Sequence, residues 1–286
     1  MESLLKNSQV LSLIDLAFEE DIGEGDHTSL ACIDTGQKGT AVIVAKESGI
    51  LAGIDLTEFI FHKMDIGLAV EKFFRDGQVI RTNEVLMKVY GSSISMLTAE
   101  RTALNFIQRL SGIATQTNQY VQQLRGTKAK IIDTRKTTPG MRLLEKWAVK
   151  QGGGENHRIG LFDMILIKDN HIDFAGGIKN AIKRTMNYLK QNNLNIAVEI
   201  ETRSIADVKE VISFGSVQRI MLDNFSPEKV REAVSLINNK FETEASGGIT
   251  LENLRTYATT GVDYISSGAL THSIKSLDLS MKVSLG

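Results

Sequence analysis

Cysteine and proline are scarce in this sequence of 286 residues. Cys32 is the only cysteine, so an internal disulfide is impossible, and we expect neither a structural zinc site nor an iron–sulfur cluster. Pro139 and Pro227 are the only prolines, which excludes a proline-rich linker. This composition favours a reducing, cytoplasmic setting.

Strong net charge and long apolar runs are also lacking. A formal net charge of -1 provides no global field for wrapping nucleic acid or for lying on an anionic membrane. No run approaches the roughly 18 consecutive apolar residues that a membrane-spanning helix needs. Near the start, Val10, Leu13, Ile14 and Ala17 recur at helical spacing, which indicates an amphipathic helix rather than a signal peptide. We therefore expect neither nucleic acid nor membrane as a partner.

The pattern of elements changes along the chain. Up to about Gly112, a helix, β-rich runs at 39–46 and 84–90, and a helical stretch from Leu97 indicate an α+β domain. From about Lys130, apolar strand-like runs alternate with amphipathic helical segments, which is typical of a parallel sheet with helical crossovers. Strands are predicted at 131–133, 164–168, 196–201, 219–223, 241–246 and 263–267.

Helix caps support this second pattern. Ser226 precedes Pro227 at a predicted first helical position, and Ser204 with Asp207 resembles a capping box. Six strand–helix units are too few for a closed eight-stranded barrel, so a partial barrel and an open wound sheet both remain possible. In either fold, ligands bind at the carboxyl ends of the strands.

A cationic zone lies between residues 135 and 171, where seven Lys or Arg face four acids. Lys146 and Lys150 fall on a predicted helix, and we expect them to be solvated. Four of the remaining five basic residues follow strand ends or a triple glycine, so they would converge on a ligand with several anionic groups. These are Arg135, Lys136, Arg158 and Lys168.

Glycine-containing loops and acidic residues end the later strands. Residues 246–248 (Ser-Gly-Gly) and 267–269 (Ser-Gly-Ala) could bind phosphate through exposed backbone amides. Glu201 and Asp223 end neighbouring strands and could hold Mg²⁺, with Glu199 as an alternative. The five histidines form no metal cluster by spacing, and His157 is expected to donate to a ligand.

Seven ordered motifs resemble one known family. DTRKTTPGMR, GGGENHR, LIKDNH, VEIET, MLDNF, EASGGIT and the run ISSGALTHS are similar to those of the quinolinate phosphoribosyltransferase family, also called nicotinate-nucleotide pyrophosphorylase (carboxylating). EEDIGEGDHTS and ERTALNFIQRLSGIAT extend the resemblance to nearly the whole chain.

The resemblance implies a type II phosphoribosyltransferase fold. An N-terminal α/β sandwich-like domain at 1–112, with 270–286 packing back on it, would precede a C-terminal incomplete α/β barrel at 113–269. The implied enzyme is a Mg²⁺-dependent homodimer that acts in NAD biosynthesis. It transfers phosphoribosyl from phosphoribosyl pyrophosphate to quinolinate, giving nicotinate mononucleotide, pyrophosphate and CO₂.

The resemblance also assigns roles to individual residues. Arg135, His157, Arg158 and Lys168 would hold the quinolinate carboxylates, and Arg101 would reach in from the other subunit. Glu201 and Asp223 would take the ribose hydroxyls and Mg²⁺. The implied catalytic residues are Lys136, Lys168, Glu201 and Asp223, and further substrate contacts are Thr134, Thr137, Ser246, Gly247, Gly248, Ser267, Gly268 and Ala269.

Three alternatives remain open from the sequence. A paralogue of the same fold could act on another anionic acceptor, such as the relative associated with molybdenum transport. Lys168 could instead be a Schiff-base nucleophile, as in barrel aldolases. A metabolite-binding protein could retain the fold, although Glu201 and Asp223 argue against simple anion binding.

Overall fold

The computed structural model describes residues 1–284 and contains two compact units. The first comprises Met1–Asn118, Thr137–Gly153 and the described residues from Leu270 onward. The second comprises Gln119–Lys136 and Gly154–Ala269. The division is less simple than a boundary near residue 112, because the chain leaves the second unit at Thr137 and re-enters it at Gly154.

Helices and strands alternate along most of the chain. The helices are α1 (Ser8–Ile22), α2 (His27–Cys32), α3 (Ile54–Met64), α4 (Ser93–Gln123), α5 (Arg142–Gln151), α6 (Asp169–Ala175), α7 (Ile178–Gln191), α8 (Ile205–Phe214), α9 (Pro227–Ile237), α10 (Leu254–Ala258) and α11 (Ala269–His272). The strands are β1 (Lys38–Ala45), β2 (Gly49–Ile50), β3 (Ala69–Lys72), β4 (Val79–Ile80), β5 (Val85–Ser92), β6 (Lys130–Ile132), β7 (Met164–Ile167), β8 (Ala197–Thr202), β9 (Arg219–Asp223), β10 (Glu242–Ser246), β11 (Tyr264–Ser266) and β12 (Leu279–Ser284). Within this described part, no helix combines the length and apolarity that a membrane crossing requires.

The first unit is built on a four-stranded antiparallel sheet with the order β12-β1-β5-β3. Ile43 in the central strand β1 is fully buried and pairs with Met281 on one side and Met87 on the other. Helix α3 buries Leu56 and Ile60 in the same unit. The antiparallel sheet and helix α3 thus both bury apolar residues in the first unit, as expected for the sandwich-like domain.

The second unit contains a six-stranded parallel sheet with the order β7-β8-β9-β10-β11-β6. Strands consecutive in the chain are neighbours from β7 to β11, and β6, the first strand, pairs with β11, the last. Among residues 1–284, no strand ladder joins β6 to β7, so the wound sheet stays incomplete at that point. This arrangement confirms the predicted α/β class with an incomplete barrel.

The predicted strand positions in this unit are confirmed to within one or two residues at their ends. The predicted caps are confirmed as well. The Ser226 and Ser204 side chains accept hydrogen bonds from the backbone N–H groups of Lys229 and Asp207, respectively. Asp207 in turn accepts from the N–H of Arg203 at 2.8 Å, one residue before the cap.

Helix α5 corrects one expectation. Lys146 is only 1% exposed, so the prediction that it is solvated was wrong, whereas Lys150 is exposed. Leu144, Glu145, Lys146, Ala148 and Val149 are all buried, which means that the helix is covered on more than one face. A charge pattern alone could not reveal this, because burial of a helix is decided by tertiary neighbours.

Candidate active site

Charged residues occupy the carboxyl ends of the parallel strands in the second unit. Lys168 directly follows β7, Glu201 is the fifth residue of β8, and Asp223 ends β9. Asp223 lies opposite Ser246, the last residue of β10, in the strand register. Since parallel strands all end at the same edge, these residues meet at one mouth of the incomplete barrel.

The charges of Asp169 and Lys168 act on both members of the acid pair, Glu201 and Asp223. Burial, then the charges of Asp223 and Asp169, raise the pKa of Glu201 above its usual value. Burial and Asp169 likewise raise the pKa of Asp223, which Lys168 and Lys136 oppose. The structure therefore brings both predicted lysines and both predicted acids together with Asp169.

Two arginines of the second unit lie near each other, and Glu199 on β8 lies near one of them, Arg158. Burial, followed by the positive charge of Arg135, lowers the pKa of Arg158. The Arg158 guanidinium donates through Nη1 to the Met164 carbonyl at 3.2 Å, which fixes its direction. Like charges at close range repel, so this arrangement is stabilised when an anion binds between them.

Beneath the mouth lies a group that we call the floor cluster, formed by His157, Glu199, Arg219 and Glu244. His157 Nε2 lies 2.9 Å from Glu199 Oε2 and 3.5 Å from Glu244 Oε2. Arg219 Nη1 donates to Glu244 Oε2 at 3.2 Å. Both glutamates are fully buried.

Burial strongly perturbs the two acids of the floor cluster. Loss of hydration raises the pKa of Glu199 to about 7, although Arg219 opposes the shift. Loss of hydration and the charge of Glu199 raise the pKa of Glu244 to about 8. The pair thus retains protons at a pH where exposed carboxylates are ionised.

The predicted phosphate loops lie at the same edge. Gly247 has a φ of +93°, and a Cβ there would collide with the Asn224 side chain and its backbone nitrogen, so only glycine fits. Ser267 is buried and its Oγ donates to the Ile249 carbonyl at 3.4 Å, whereas Gly248 is exposed. Half-buried positions in these loops are Ser246, Gly247, Gly268 and Ala269.

The structure also shows the immediate neighbours of three other residues that are predicted to contact substrate. Thr134 in the second unit accepts a hydrogen bond from the Lys136 N–H at 3.1 Å. Thr137 and Arg101 belong to the first compact unit. There, Thr137 Oγ1 accepts from Arg142 Nε at 3.0 Å, and the Arg101 side chain is 61% exposed beside Glu100.

Sequence reasoning missed several residues of this site. Asp169 follows Lys168 directly, and Glu244 stands two positions before Ser246 on the same face of β10. For Glu244, the available signal was an acidic residue in the interior of a predicted strand, where charged side chains are rarely buried without a partner. The spacing of histidines could not indicate a group in which His157, Glu199 and Glu244 have ligand atoms within 4.8 Å of one another.

Comparison with known families shows which family the chain belongs to. Residues 26–111 match the family described as quinolinate phosphoribosyl transferase, N-terminal domain, and residues 113–282 match its C-terminal domain. The chain belongs to the quinolinate phosphoribosyl transferase family.

Relatives of the family cover nearly the whole chain. A mitochondrial quinolinate phosphoribosyltransferase [decarboxylating] 2a from Nicotiana tabacum is 48% identical over 95% of this chain and 81% of the relative. A probable nicotinate-nucleotide pyrophosphorylase [carboxylating] from Bacillus subtilis is 46% identical over 98% and 96%, respectively. The solved nicotinate-nucleotide pyrophosphorylase of Francisella tularensis has a TM-score of 0.90 at 41% identity, covering 96% of this chain and 95% of that structure.

Proposed function

We propose that this member of the quinolinate phosphoribosyl transferase family joins quinolinate to phosphoribosyl pyrophosphate, releasing pyrophosphate and CO₂ and forming nicotinate mononucleotide for NAD synthesis. The observation that carries the proposal is the gathering of cationic and acidic residues at one barrel mouth, in a chain whose relatives bear the names of this enzyme.

Quinolinate is a planar ring with two carboxylates, and the arginine pair suits it. Arg135 and Arg158 lie close enough that one charge lowers the pKa of the other, so together they favour a dianion. Planar guanidinium groups bind carboxylates through paired hydrogen bonds. Lys168 adds a further cation at the neighbouring strand end.

The acid pair fits a magnesium ion and ribose hydroxyls. Glu201 and Asp223 have raised pKa values because burial and mutual or neighbouring negative charge oppose their ionisation. A divalent cation would relieve that repulsion through hard oxygen ligands. When bound, Mg²⁺ would neutralise charge on the pyrophosphate group, and the loops at 246–248 and 267–269 would hold phosphate oxygens.

In the reaction, the pyridine nitrogen forms a bond to the anomeric carbon while the bond from that carbon to pyrophosphate breaks. The residues at the mouth position both substrates and stabilise the developing charges. The carboxylate next to the cationic ring nitrogen then leaves as CO₂, and the ring carbon keeps the electron pair and takes up a proton. Both arginines are half-buried, which limits water at this stage.

The Schiff-base alternative has less support. Lys168 is exposed to solvent, whereas nucleophilic lysines are activated by desolvation or by adjacent cations. Acidic residues, including Asp223, also lie near Lys168. A binding protein without catalysis has no use for the acid pair.

A homodimer is part of the proposal. Arg101 on α4 is 61% exposed and contacts only its neighbour Glu100 among the ion pairs of residues 1–284, so its guanidinium is accessible to a second copy of the chain. We also propose a cytoplasmic location, since the single Cys32 thiol is exposed and free. Cell fractionation would contradict this if the protein sedimented with membranes or appeared outside the cell.

Direct assay tests the activity. Purified protein with quinolinate, phosphoribosyl pyrophosphate and Mg²⁺ should yield nicotinate mononucleotide and CO₂, and chelation of Mg²⁺ should stop turnover. Arg135→Ala should lower kcat/KM by about 100-fold or more, because a charged partner of a substrate carboxylate is lost. Arg184→Ala, which removes an exposed arginine on α7, serves as the matched control.

Formation of no nucleotide by the unaltered protein would contradict the proposed function. Equal use of nicotinate would point to a different acceptor, and near-normal activity of Arg135→Ala would refute the binding assignment.

A further inference from the structure

The tautomer of His157 is set by its backbone neighbour. The Arg158 N–H donates to His157 Nδ1 at 2.7 Å, so Nδ1 carries a lone pair. The ring proton then belongs on Nε2, which lies 2.9 Å from Glu199 Oε2. Both ring nitrogens therefore lie within 3 Å of protein groups, and the side chain is only 6% exposed.

The acids that face His157 lie one layer below the mouth. Glu199 stands two residues before Glu201 on β8, and Glu244 stands two residues before Ser246 on β10. Alternate residues of a strand share a face, so each buried acid supports the level of residues that face substrate. Glu199 is fully buried while Glu201 retains 8% exposure, which favours Glu201 as the acid at the mouth.

Arg219 lies at the start of β9, at the end of the sheet opposite the mouth, and contacts the buried acid Glu244 from there. Its guanidinium pairs with Glu244 at 3.2 Å and with Glu242 at 3.0 Å, and it stacks over the Tyr264 ring at 4.0 Å. These contacts fix Glu244 beneath His157. Arg219 thereby supplies positive charge to a layer that contains two buried acids.

A metal ion in the floor cluster is the competing interpretation, since His157, Glu199 and Glu244 approach within 4.8 Å. A histidine that binds metal through Nε2 normally donates from Nδ1 to a second group. Here Nδ1 accepts from the Arg158 N–H instead. Arg219 already supplies a cation to Glu244.

We propose that Glu199 and Glu244, braced by Arg219, are positioning residues that hold the His157 ring, which in turn fixes the backbone of Arg158 and so aims its guanidinium at a substrate carboxylate. This inference rests on the proposed function. It gives His157 an inward role in place of the direct carboxylate contact that the family resemblance implies. Arg158 has a second brace at the Met164 carbonyl, 3.2 Å away.

Steady-state kinetics of Glu244→Gln test the network. The KM for quinolinate should rise by about tenfold, because Arg158 is misplaced, while the KM for phosphoribosyl pyrophosphate and the Mg²⁺ requirement stay within about twofold. Glu242→Gln is the matched control, since it alters another Arg219 partner on the same strand that is 49% exposed. Equal changes in both KM values, or an equal effect of the control, would overturn the proposal.

A double-mutant cycle separates positioning from direct binding. If His157 acts through Glu199, then His157→Gln and Glu199→Gln should each raise the quinolinate KM, and the double variant should be no worse than the poorer single one. Multiplicative losses would assign His157 to substrate directly. A rise in the KM for phosphoribosyl pyrophosphate in Glu199→Gln would assign Glu199 to the ribose or metal. Thermal unfolding of each variant verifies folding.

The unaltered protein offers a test that does not depend on turnover. Nitrogen-15 NMR of labelled histidine should show His157 with its proton on Nε2, and addition of Zn²⁺ or Mg²⁺ should leave that resonance unchanged. A proton on Nδ1 alone, or a metal-dependent shift, would refute the positioning network. An inactive protein with the expected tautomer would instead contradict only the proposed function.

Discussion

Glu244 is an acidic residue that the fold removes completely from water. It faces Glu199, His157, Arg219 and Ser266, and its pKa is raised from 4.5 to about 8 mainly by burial. Because the native state retains this proton while the unfolded chain loses it, the native state binds more protons between these two pH values. Stability must therefore fall as pH rises through that window.

Urea unfolding between pH 5 and pH 9 measures this linkage. The free energy of unfolding should decline by up to about 1.4 kcal/mol per pH unit for each such group and level off above pH 8. Glu244→Gln should show a shallower decline, since one of the two shifted carboxyls is removed. A pH-independent free energy of the unaltered protein would contradict the buried, protonated state.

The sequence predicts the positions of the residues at the mouth better than those of the residues beneath it. Arg135 and Lys168 follow strand ends, where charge has an evident use, so their placement could be expected. Glu244 lies in the interior of β10 and Arg219 begins β9, and they meet because these two strands are neighbours in the sheet. Only the strand register brings such residues together, and the sequence does not state it.

Among the elements, the parallel strands were the most predictable. Most are short apolar runs that lead into polar or glycine residues, and burial between helices accounts for that composition. The pairing of β12 with β1 was less accessible, because its partners are separated by more than 200 residues, as Ile43 and Met281 show. The burial of Lys146 was missed for the same reason of tertiary context.

The cap of α8 provides a test at this scale. Ser204 Oγ accepts from the Asp207 N–H at 3.1 Å, so Ser204→Ala should lower the free energy of unfolding by about 1 kcal/mol. Ser213→Ala, in the last turn of the same helix, removes an exposed hydroxyl and should change it by less than about 0.5 kcal/mol. Urea unfolding compares the two. Equal losses would mean that the cap adds nothing specific.

At the scale of the whole molecule, no single boundary divides the chain, because each compact unit is made of segments that are separated in the sequence. The segment Thr137–Gly153 belongs to the first compact unit although residues on both sides of it belong to the second. Arg135 and Thr137 therefore fall in different units although they are two residues apart. Local patterns describe each element separately, so they could not reveal which unit a segment joins.

The proposed homodimer predicts recovery of activity between two defective chains. If Arg101 serves the site of the partner, coexpression of Arg101→Ala with Arg135→Ala chains should restore about a quarter of the sites, because half of randomly assembled dimers are mixed and each mixed dimer contains one intact site. Arg135→Ala coexpressed with Lys168→Ala is the control and should recover nothing, since each site then keeps one defect from its own chain. Product formation per purified dimer measures both. Recovery in the control, or none in the first pair, would place Arg101 outside a shared site.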